Sequence, residues 1–174
     1  MTEKFHGERI YLRKLTFADA TPAYAAWLND RQANVFLETR QATLPALRDY
    51  IRRQNDNPAS ALLGVFDRAN DAHIGNVKLE PIDWQKKNAI FGILIGDKNY
   101  WGKGLGTEAT KLAVDYAFKA LGLSEVELGV ISENQRARKT FEKAGFKYVA
   151  TIPKALDHNG VLYDKIIMAV KKGE

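Results

Sequence analysis

The stretch YWGKGLGTEA, residues 100–109, carries three glycines at alternate positions. It follows an apolar run over 89–95 and opens a helical pattern over 107–121. A strand, a glycine loop and a helix in this order are typical of a phosphate site, because glycine lets a ligand approach the backbone closely. The unpaired N–H groups of the helix N-terminus then favour an anion.

The spacing of the glycines argues against two common phosphate loops. A Walker loop has four residues between its first glycine and its Gly-Lys pair, whereas five residues separate Gly96 from Gly102. Gly104 also follows Lys103, where a magnesium-binding hydroxyl should stand. The dinucleotide fingerprint needs a glycine where Thr107 stands. A simple tight turn would not require three glycines in five residues.

Hydrophobic periodicity divides the chain into seven predicted strands and four predicted helices. The strands are 8–15, 61–66, 73–82, 88–95, 125–131, 146–152 and 162–170, and the helices begin near Thr21 and Thr43, at Thr107 and after a Ser132 cap. A helix joins the fourth and fifth strands, which should run parallel, whereas short connections favour antiparallel pairs elsewhere. We predict an α/β (α+β) fold: a mixed, mostly antiparallel seven-stranded sheet with helices on both faces.

Composition predicts one domain over residues 1–174. Hydrophobic residues make up 45% and charged residues 27%, as in soluble globular proteins. There is no cysteine, which excludes disulfides and thiolate sites, and His6, His73 and His158 have no metal-ligand spacing. No apolar run approaches the ~20 residues of a membrane span, and the first residues show no signal peptide. We therefore expect a cytoplasmic protein with no metal and no membrane contact.

The net charge of +5 allows three interpretations. Nucleic-acid binding is one, a solvated basic surface is the second, and recruitment of an anionic cofactor is the third. Acidic residues are interspersed throughout and there is no basic tail, so we favour the solvated surface and predict no nucleic-acid partner.

Three motifs in the right order resemble the GNAT acetyltransferases. The loop pattern of that family is Arg/Gln-x-x-Gly-x-Gly/Ala, in which Gly104 and Gly106 fill the small positions and Trp101 replaces Arg or Gln. The second motif is NxxAxxxFxxxGF over 134–146. The opening, with LR at 12–13, Asp19 and WLND at 27–30, resembles the branch that includes ribosomal-protein N-terminal, amino-sugar and spermidine acetyltransferases.

The resemblance implies an acetyl-coenzyme A site. The fourth and fifth strands should splay apart and admit the pantetheine arm, with the pyrophosphate on the loop amides and the thioester carbonyl beside an N–H of the fourth strand. The implied cofactor-binding residues are Ile93, Leu94, Ile95, Trp101, Gly102, Lys103, Gly104, Leu105, Gly106, Thr107, Asn134, Arg138 and Phe141. Asn134 could instead be a polar residue of the first helical turn, and Arg138 could simply be solvated.

The catalytic residues stay open, because the sequence departs from the family here. Many members have a Tyr general acid at the position of Phe141, and some have a Ser at the position of Ala137. Neither residue present can donate a proton. The remaining proton donors are Tyr148, Ser132 or water, and Glu80 and Asp83 are the candidate carboxylates that precede the fourth strand.

The resemblance implies an acetyl-coenzyme A-dependent N-acetyltransferase that acts on a primary amine. The acceptor is a small molecule or a peptide, such as a protein N-terminus, an amino sugar, a polyamine or an amino-bearing antibiotic. We expect its site near the first two helices, Trp27, Phe36, Trp84 and 153–162, in a monomer or homodimer. The alternatives are a non-catalytic coenzyme A-binding sensor or interaction module and, on charge alone, an RNA-binding accessory protein.

Overall fold

The computed structural model describes residues 2–30 and 42–174. Within these residues the chain forms eight strands and four α-helices. The strands are β1 Phe5–His6, β2 Ile10–Lys14, β3 Ala61–Asp67, β4 His73–Asp83, β5 Asn88–Ile95, β6 Glu125–Ile131, β7 Lys147–His158 and β8 Val161–Lys171. The helices are α1 Pro22–Asn29, α2 Leu44–Asp56, α3 Leu105–Lys119 and α4 Gln135–Lys143.

All described strands form one sheet in the order β1-β2-β3-β4-β5-β6-β8-β7. β5 and β6 pair in parallel, and every other neighbouring pair is antiparallel. This arrangement confirms the predicted mixed, mostly antiparallel sheet. The sheet has eight strands rather than the predicted seven, because β1 contains only two residues and is too short to show an alternating pattern.

The parallel strands β5 and β6 separate soon after they meet. Three pairs join them, from Asn88↔Glu125 to Ile90↔Glu127. β5 continues to Ile95 and β6 to Ile131, with no further pair between these two described strands. The predicted splay is therefore present, and we call the space between the unpaired parts the β5–β6 cleft.

A β-bulge in β4 lies beside the start of this cleft. The register between β4 and β5 shifts between Leu79 and Ile82, so that Glu80 and Pro81 together oppose Ile90. A bulge bends its strand and increases the local twist, and proline supplies no N–H to the ladder. Since Ile90 is also the last β5 residue paired with β6, the bend and the loss of parallel pairing coincide.

Helices cover both faces of the sheet, as predicted. One buried cluster joins α3 and α4 to the sheet, and a second joins α1 and α2 to its other face. β5 serves both clusters: Ile93 and Ile95 pack against the first and Leu94 against the second, because successive strand residues point to opposite faces. Full burial of a side chain such as Ile51 stabilises the fold by about 1.5–3 kcal/mol.

Helix α3 begins two residues earlier than the sequence predicts. Its first residue is Leu105 rather than Thr107, and its N-cap is Gly104 in a left-handed conformation. The glycine therefore belongs to the helix boundary itself. The loop therefore ends at Gly104, and the first turn of α3 follows directly.

The predicted Ser132 capping box of α4 is wrong. Asn134 is the N-cap, and its Oδ1 accepts a hydrogen bond of 3.1 Å from the N–H of Ala137. The hydroxyl of Ser132 donates to Glu133 instead. Asn and Ser cap helices about equally well, so the residue directly before the helix, Asn134, takes the position.

A half-buried ion pair links the end of β2 to the turn before α1. Arg13 donates to both carboxylate oxygens of Asp19, each at 2.8 Å, and the N–H of Thr16 donates to Oδ2 at 2.7 Å. The Arg13 guanidinium also lies 3.9 Å from the ring centre of Phe66. Burial raises the pKa of Asp19, but the bonds from Arg13 and Thr16 outweigh it and the net pKa is lowered.

We expect Asp19→Asn to lower the free energy of unfolding by about 2 kcal/mol, because a charge-assisted fork is lost and Arg13 keeps an unpaired charge. A carboxyl with a lowered folded-state pKa stabilises the protein above its ordinary pKa and loses that contribution as the pH falls. The variant should therefore lose less stability than the parent between about pH 5 and pH 2.

Urea unfolding at a series of pH values measures both effects. The control is Asp115→Asn, which breaks the exposed pair with Lys119 and should change stability little. Equal effects of the two substitutions would contradict the structural role of the Arg13–Asp19 pair.

Candidate active site

The glycine loop needs glycine at two positions for conformational reasons. Gly102 has φ of +72° and Gly104 has φ of +77°, both in the left-handed region that side chains with a Cβ rarely adopt. Gly106 is already helical, and a Cβ there would lie 3.7 Å from Thr140. Gly102 and Gly104 therefore allow the backbone conformation of the loop, whereas Gly106 places no side chain between the first turn of α3 and Thr140.

The first turn of α3 presents backbone donors to this loop. Its first internal bond runs from the Glu108 N–H to the Gly104 carbonyl at 3.1 Å. The N–H groups of Leu105, Gly106 and Thr107 therefore precede that ladder, and a glycine N-cap brings no side chain to accept from them. Together with the positive end of the helix dipole, they form a site that suits a phosphate group.

Arg9 braces the loop against β2. Its side chain donates to the Lys103 carbonyl at 2.8 Å and to Glu108 Oε2 at 2.8 Å, while its backbone N–H donates to Glu108 Oε1 at 2.7 Å. Burial raises the pKa of Glu108, but the bonds from Arg9 and Ile10 outweigh it and lower the net pKa. The carboxylate of Glu108 in the first turn of α3 is thus paired with Arg9. The same arginine holds the loop in place through the Lys103 carbonyl.

Trp101 ties the loop to the end of β5. Its Nε1–H donates to the carbonyl of Ile95 at 2.7 Å, and the Arg136 guanidinium lies 5.5 Å from its ring centre. The residue that departs from the family pattern therefore has a structural role here. It holds the loop at the mouth of the β5–β6 cleft.

The register of β5 decides which backbone groups point into the cleft. The N–H of Gly96 donates to the Ile74 carbonyl on the β4 side at 2.9 Å. Bonding direction alternates along an antiparallel strand, so Leu94 also bonds toward β4 while Ile93 and Ile95 point toward β6. Three residues were predicted to donate an N–H to the thioester. The N–H groups of Ile93 and Ile95 point into the cleft, whereas that of Leu94 points toward β4.

The residues predicted on α4 are engaged within the protein. Asn134 caps the helix through its Oδ1, and Arg138 donates to Glu142 at 3.1 Å. Phe141 is buried and meets Phe91 edge-on, with ring centres 6.2 Å apart. The structure therefore gives each of them a structural role, and Phe141 forms part of the wall behind β5.

The four catalytic candidates do not come together. Asp83 accepts from the N–H groups of residues 85 and 86 and shapes the β4–β5 turn, at the end of β5 opposite the glycine loop. Tyr148 lies exposed on the edge strand β7 and bonds to Thr151. Ser132 bonds to Glu133 after β6. Among the four, only Glu80 lines the cavity beside the cleft.

This cavity, which we call the acceptor cavity, has a volume of about 520 Å³. It lies between α1, α2 and the sheet, and it reaches both strands of the cleft through residues 92–94 and Gly129. Its described polar lining comprises Tyr24, Tyr50, Arg53, Asn76, Lys78 and Glu80.

Sequence reasoning missed most of this lining, although a signal exists. Asn76, Lys78 and Glu80 alternate along β4 with the buried residues Val77 and Leu79. Polar residues with a period of two on a central strand indicate a face that is not filled by core side chains.

Trp27 and Trp84, two of the aromatic residues considered for the acceptor site, do not line the acceptor cavity. Trp27 is buried in the core, where it contacts Gly96 and His73. Trp84 is half-exposed and donates to the Pro58 carbonyl at 3.0 Å. Phe36 lies outside the described residues, and 153–162 forms the far end of the β7–β8 hairpin.

Residues 2–30 and 42–174 contain no group of three or more His, Cys, Asp or Glu side chains that could hold a metal ion. None of the helices in this part of the chain is long and apolar enough to cross a membrane.

Comparison with known proteins decides the family. A family model described as an acetyltransferase (GNAT) domain matches residues 9–147, a range that includes the glycine loop, both cleft strands and α4. The chain belongs to the GNAT acetyltransferase family. The predicted family and the predicted acyltransferase class are thereby confirmed.

Individual relatives agree with this assignment. The chain is 38% identical over 108 residues to the probable N-acetyltransferase YjcK of Bacillus subtilis, across 62% of this chain and 59% of that protein. It is 36% identical over 96 residues to the spermidine N(1)-acetyltransferase of Escherichia coli, across 55% and 51%. These matches span just over half of each relative's length.

A solved structure supports the fold. The spermidine N-acetyltransferase of Vibrio cholerae, in complex with CoA and spermine, superposes with a TM-score of 0.86 at 24% identity. The superposition covers 95% of this chain and 97% of that one.

We expect Gly104→Val to weaken acetyl-coenzyme A binding at least tenfold, about 1.4 kcal/mol. A β-branched residue resists the left-handed conformation, so the loop and the first N–H groups of α3 would shift. The matched control is Gly122→Val at the other end of α3, where φ is +68° and an added Cβ meets nothing.

Isothermal titration with acetyl-coenzyme A measures the difference, and circular dichroism verifies that both variants fold. The control should lose stability without losing affinity. Normal affinity in folded Gly104→Val would mean that the cofactor site is elsewhere.

Proposed function

We propose that this protein is an acetyl-coenzyme A-dependent N-acetyltransferase that transfers the acetyl group directly to a primary amine. One observation carries the proposal: the glycine loop, the β5–β6 cleft and the acceptor cavity follow one another along β5. Coenzyme A has the matching order of a pyrophosphate, an extended pantetheine arm and a reactive thioester.

The proposed cofactor site uses mainly backbone groups. The pyrophosphate would accept from N–H groups within 103–107, at the positive end of α3. The pantetheine arm would extend along the unpaired part of β5 as an additional strand would. The thioester carbonyl would then accept from the N–H of Ile93, which the alternation of β5 directs toward the cleft.

The proposed reaction is a direct displacement at the thioester carbon. The amine nitrogen forms a bond to that carbon, negative charge develops on the carbonyl oxygen, and the carbon–sulfur bond then breaks. A single backbone donor to such an oxyanion contributes a factor of about 10²–10³ in rate. The amine proton passes to water, and the departing thiolate, with an ordinary pKa near ~8.5, takes a proton from water.

We assign both proton transfers to water because the described residues of the site offer few other proton donors or acceptors. Phe141 is buried among aromatic rings and Ala137 has no polar atom, so neither can protonate the thiolate. One oxygen of Glu80 accepts a hydrogen bond from Asn57, and the other is ion-paired with Lys78. Orientation of the two reactants in adjoining spaces then supplies most of the rate enhancement.

We also propose that residues 1–174 form one catalytic domain. The family match covers 9–147, and the two buried clusters share a single sheet. The two strands that follow α4 extend the sheet beyond β6, because β8 pairs with β6 and β7 pairs with β8.

A non-catalytic coenzyme A-binding module is the second candidate. The observation in its favour is that no proton donor stands at positions 137 and 141. Such a module would bind acetyl-coenzyme A in the same cleft and would respond to it without turnover.

Thiol release from acetyl-coenzyme A, measured against a panel of amines, tests the proposal. The panel contains N-terminal peptides, amino sugars with and without a phosphate, polyamines and aminoglycosides. We expect at least one amine to give turnover well above the rate in water. A rise in melting temperature with acetyl-coenzyme A but no turnover would favour the binding module, and no rise would contradict both candidates.

A further inference from the structure

The acceptor cavity has an unbalanced set of charges. Among the described residues that line it, Arg53 and Lys78 are cationic and Glu80 is anionic. Both oxygens of Glu80 have a partner within the protein: Oε1 accepts from Asn57 at 3.1 Å, and Oε2 lies 3.1 Å from the ammonium of Lys78. Lys78 therefore balances the negative charge of this carboxylate, and Arg53 makes the described lining net positive.

Lys78 keeps its charge within the cavity. Burial alone lowers the pKa of its ammonium, but Tyr50 and Glu80 outweigh that effect, and the net pKa is raised. The ammonium lies 6.0 Å from the ring centre of Tyr50 and contacts one oxygen of Glu80. A lysine ammonium has three N–H donors, so it retains donors for a ligand.

Arg53 adds a second cationic group at the rim. Its Nε lies 3.0 Å from Asp49, which also pairs with Arg52. Asp49 does not line the cavity, whereas Arg53 does. The guanidinium carries five N–H donors, so a pair with Asp49 through Nε leaves its outer edge for an anionic ligand.

Asn76 contributes an amide donor from β4. His73 Nε2 lies 2.8 Å from Asn76 Oδ1, and His73 Nδ1 is buried without a hydrogen-bond partner among the described atoms. A buried N–H without an acceptor costs more than a buried lone pair without a donor, so the proton belongs on Nε2. The Asn76 oxygen then accepts a hydrogen bond from His73. The NH₂ group of Asn76 remains as a donor for a ligand in the cavity.

The buried setting of His73 keeps this arrangement stable near neutral pH. Burial among Tyr24, Trp27 and Phe66 is the largest effect on the imidazole and lowers its pKa. The ring therefore stays neutral, with a single proton to donate. Asn76 is consequently oriented by a partner that does not change charge in the working pH range.

These groups favour one class of acceptor. The described lining has one more positive than negative charge, and Lys78, Arg53 and Asn76 keep N–H donors for a ligand, whereas the charge of the lining carboxylate is balanced by Lys78. We infer that the acceptor amine also carries an anionic group, a carboxylate or a phosphate, which Lys78, Arg53 and Asn76 bind while the amine faces the cleft. The inference rests on the proposed function and names its substrate class.

The inference separates this chain from the relatives that are named spermidine acetyltransferases. A polyamine brings additional ammonium groups, which would lie near Lys78 and Arg53, while the carboxylate of the described lining is already paired with Lys78. Like charges brought together in a partly buried site repel each other, and this repulsion selects against the wrong ligand.

Matched amines that differ in one terminal group test the charge preference. The first set contains ω-amino acids, n-alkylamines and diamines at chain lengths of three to six carbons. The second contains glucosamine and its 6-phosphate, and the third contains L-amino acids and their amides. The readout is kcat/KM for thiol release, which we expect to be at least tenfold higher for the anionic member of the preferred set.

The three sets distinguish carboxylate from phosphate as the recognised group. A preference confined to the second set identifies phosphate, and one confined to the first or third identifies carboxylate. Equal or higher kcat/KM for diamines or neutral amines overturns the inference and leaves the proposed N-acetyltransferase intact. No turnover with any amine overturns the proposed function, and the inference with it.

Substitutions then assign the preference to the cavity. Lys78→Gln removes a cation and frees one oxygen of Glu80, so the ratio of kcat/KM between anionic and neutral amines should fall at least tenfold. The KM of the anionic amine should rise by a larger factor than the KM of the neutral amine of the same length. A merely structural role for Lys78 would affect both amines equally and would contradict the assignment.

Arg53 has a matched control on the same helix. Arg53→Gln should reduce the ratio about threefold or more, because Arg53 lines the cavity. Arg52→Gln removes a neighbouring arginine that pairs with Asp49 and Asp56 outside the lining and should leave the ratio unchanged. The same loss in both variants would mean that general surface charge, rather than the cavity, sets the preference.

Discussion

The functional geometry depends on one constraint, the end of parallel pairing between β5 and β6 after Ile90. Buried backbone N–H and C=O groups need hydrogen-bond partners. When a strand loses one neighbour, about half of its N–H and C=O groups face the gap and can bond to a ligand there. The bulge in β4 opposes the same residue, so the bend of β4 and the divergence of β5 from β6 coincide. In the proposed complex the gap would receive the extended part of the ligand through main-chain bonds, so the apolar side chains of Ile93 and Ile95 can pack against the core while their backbone groups face the cleft.

A second set of contacts holds the glycine loop at the end of this gap. Arg9 bonds to both the loop and the first turn of α3, and Trp101 bonds to the last residue of β5. The loop is therefore fixed from two sides before any ligand arrives. Such preorganisation reduces the ordering that binding would otherwise require, and it assigns a positioning role to a tryptophan that replaces the usual Arg or Gln of the family pattern.

Much of the fold was predictable because its signals are local. Alternation and short apolar runs identified seven strands, Thr21 and Thr43 were recognised as possible caps of α1 and α2, and the helix between the fourth and fifth strands implied their parallel pairing. The errors have physical reasons. β1 is too short to alternate, Gly104 ends the loop inside the helix boundary, and Asn134 competes with Ser132 as a cap of similar strength. Glu80 was named as a weak catalytic candidate, but its same-face neighbours Lys78 and Asn76 were missed, although their period of two on β4 is a signal in the sequence.

The sequence by itself determined the family, the glycine loop and the element order, because motif spacing and periodicity are properties of neighbouring residues. Only the tertiary structure decided which backbone donors of β5 point into the cleft, since this depends on the register with β4. It also decided the charge of the acceptor cavity. Asn76, Lys78 and Glu80 share β4, whereas Arg53 and Asn57 come from α2 and the residue that follows it, so Arg53 joins the lining and Asn57 reaches Glu80 only when α2 packs against the sheet. The contact between α2 and β4 leaves no local pattern, and for that reason the proposed acceptor preference depends on the tertiary structure.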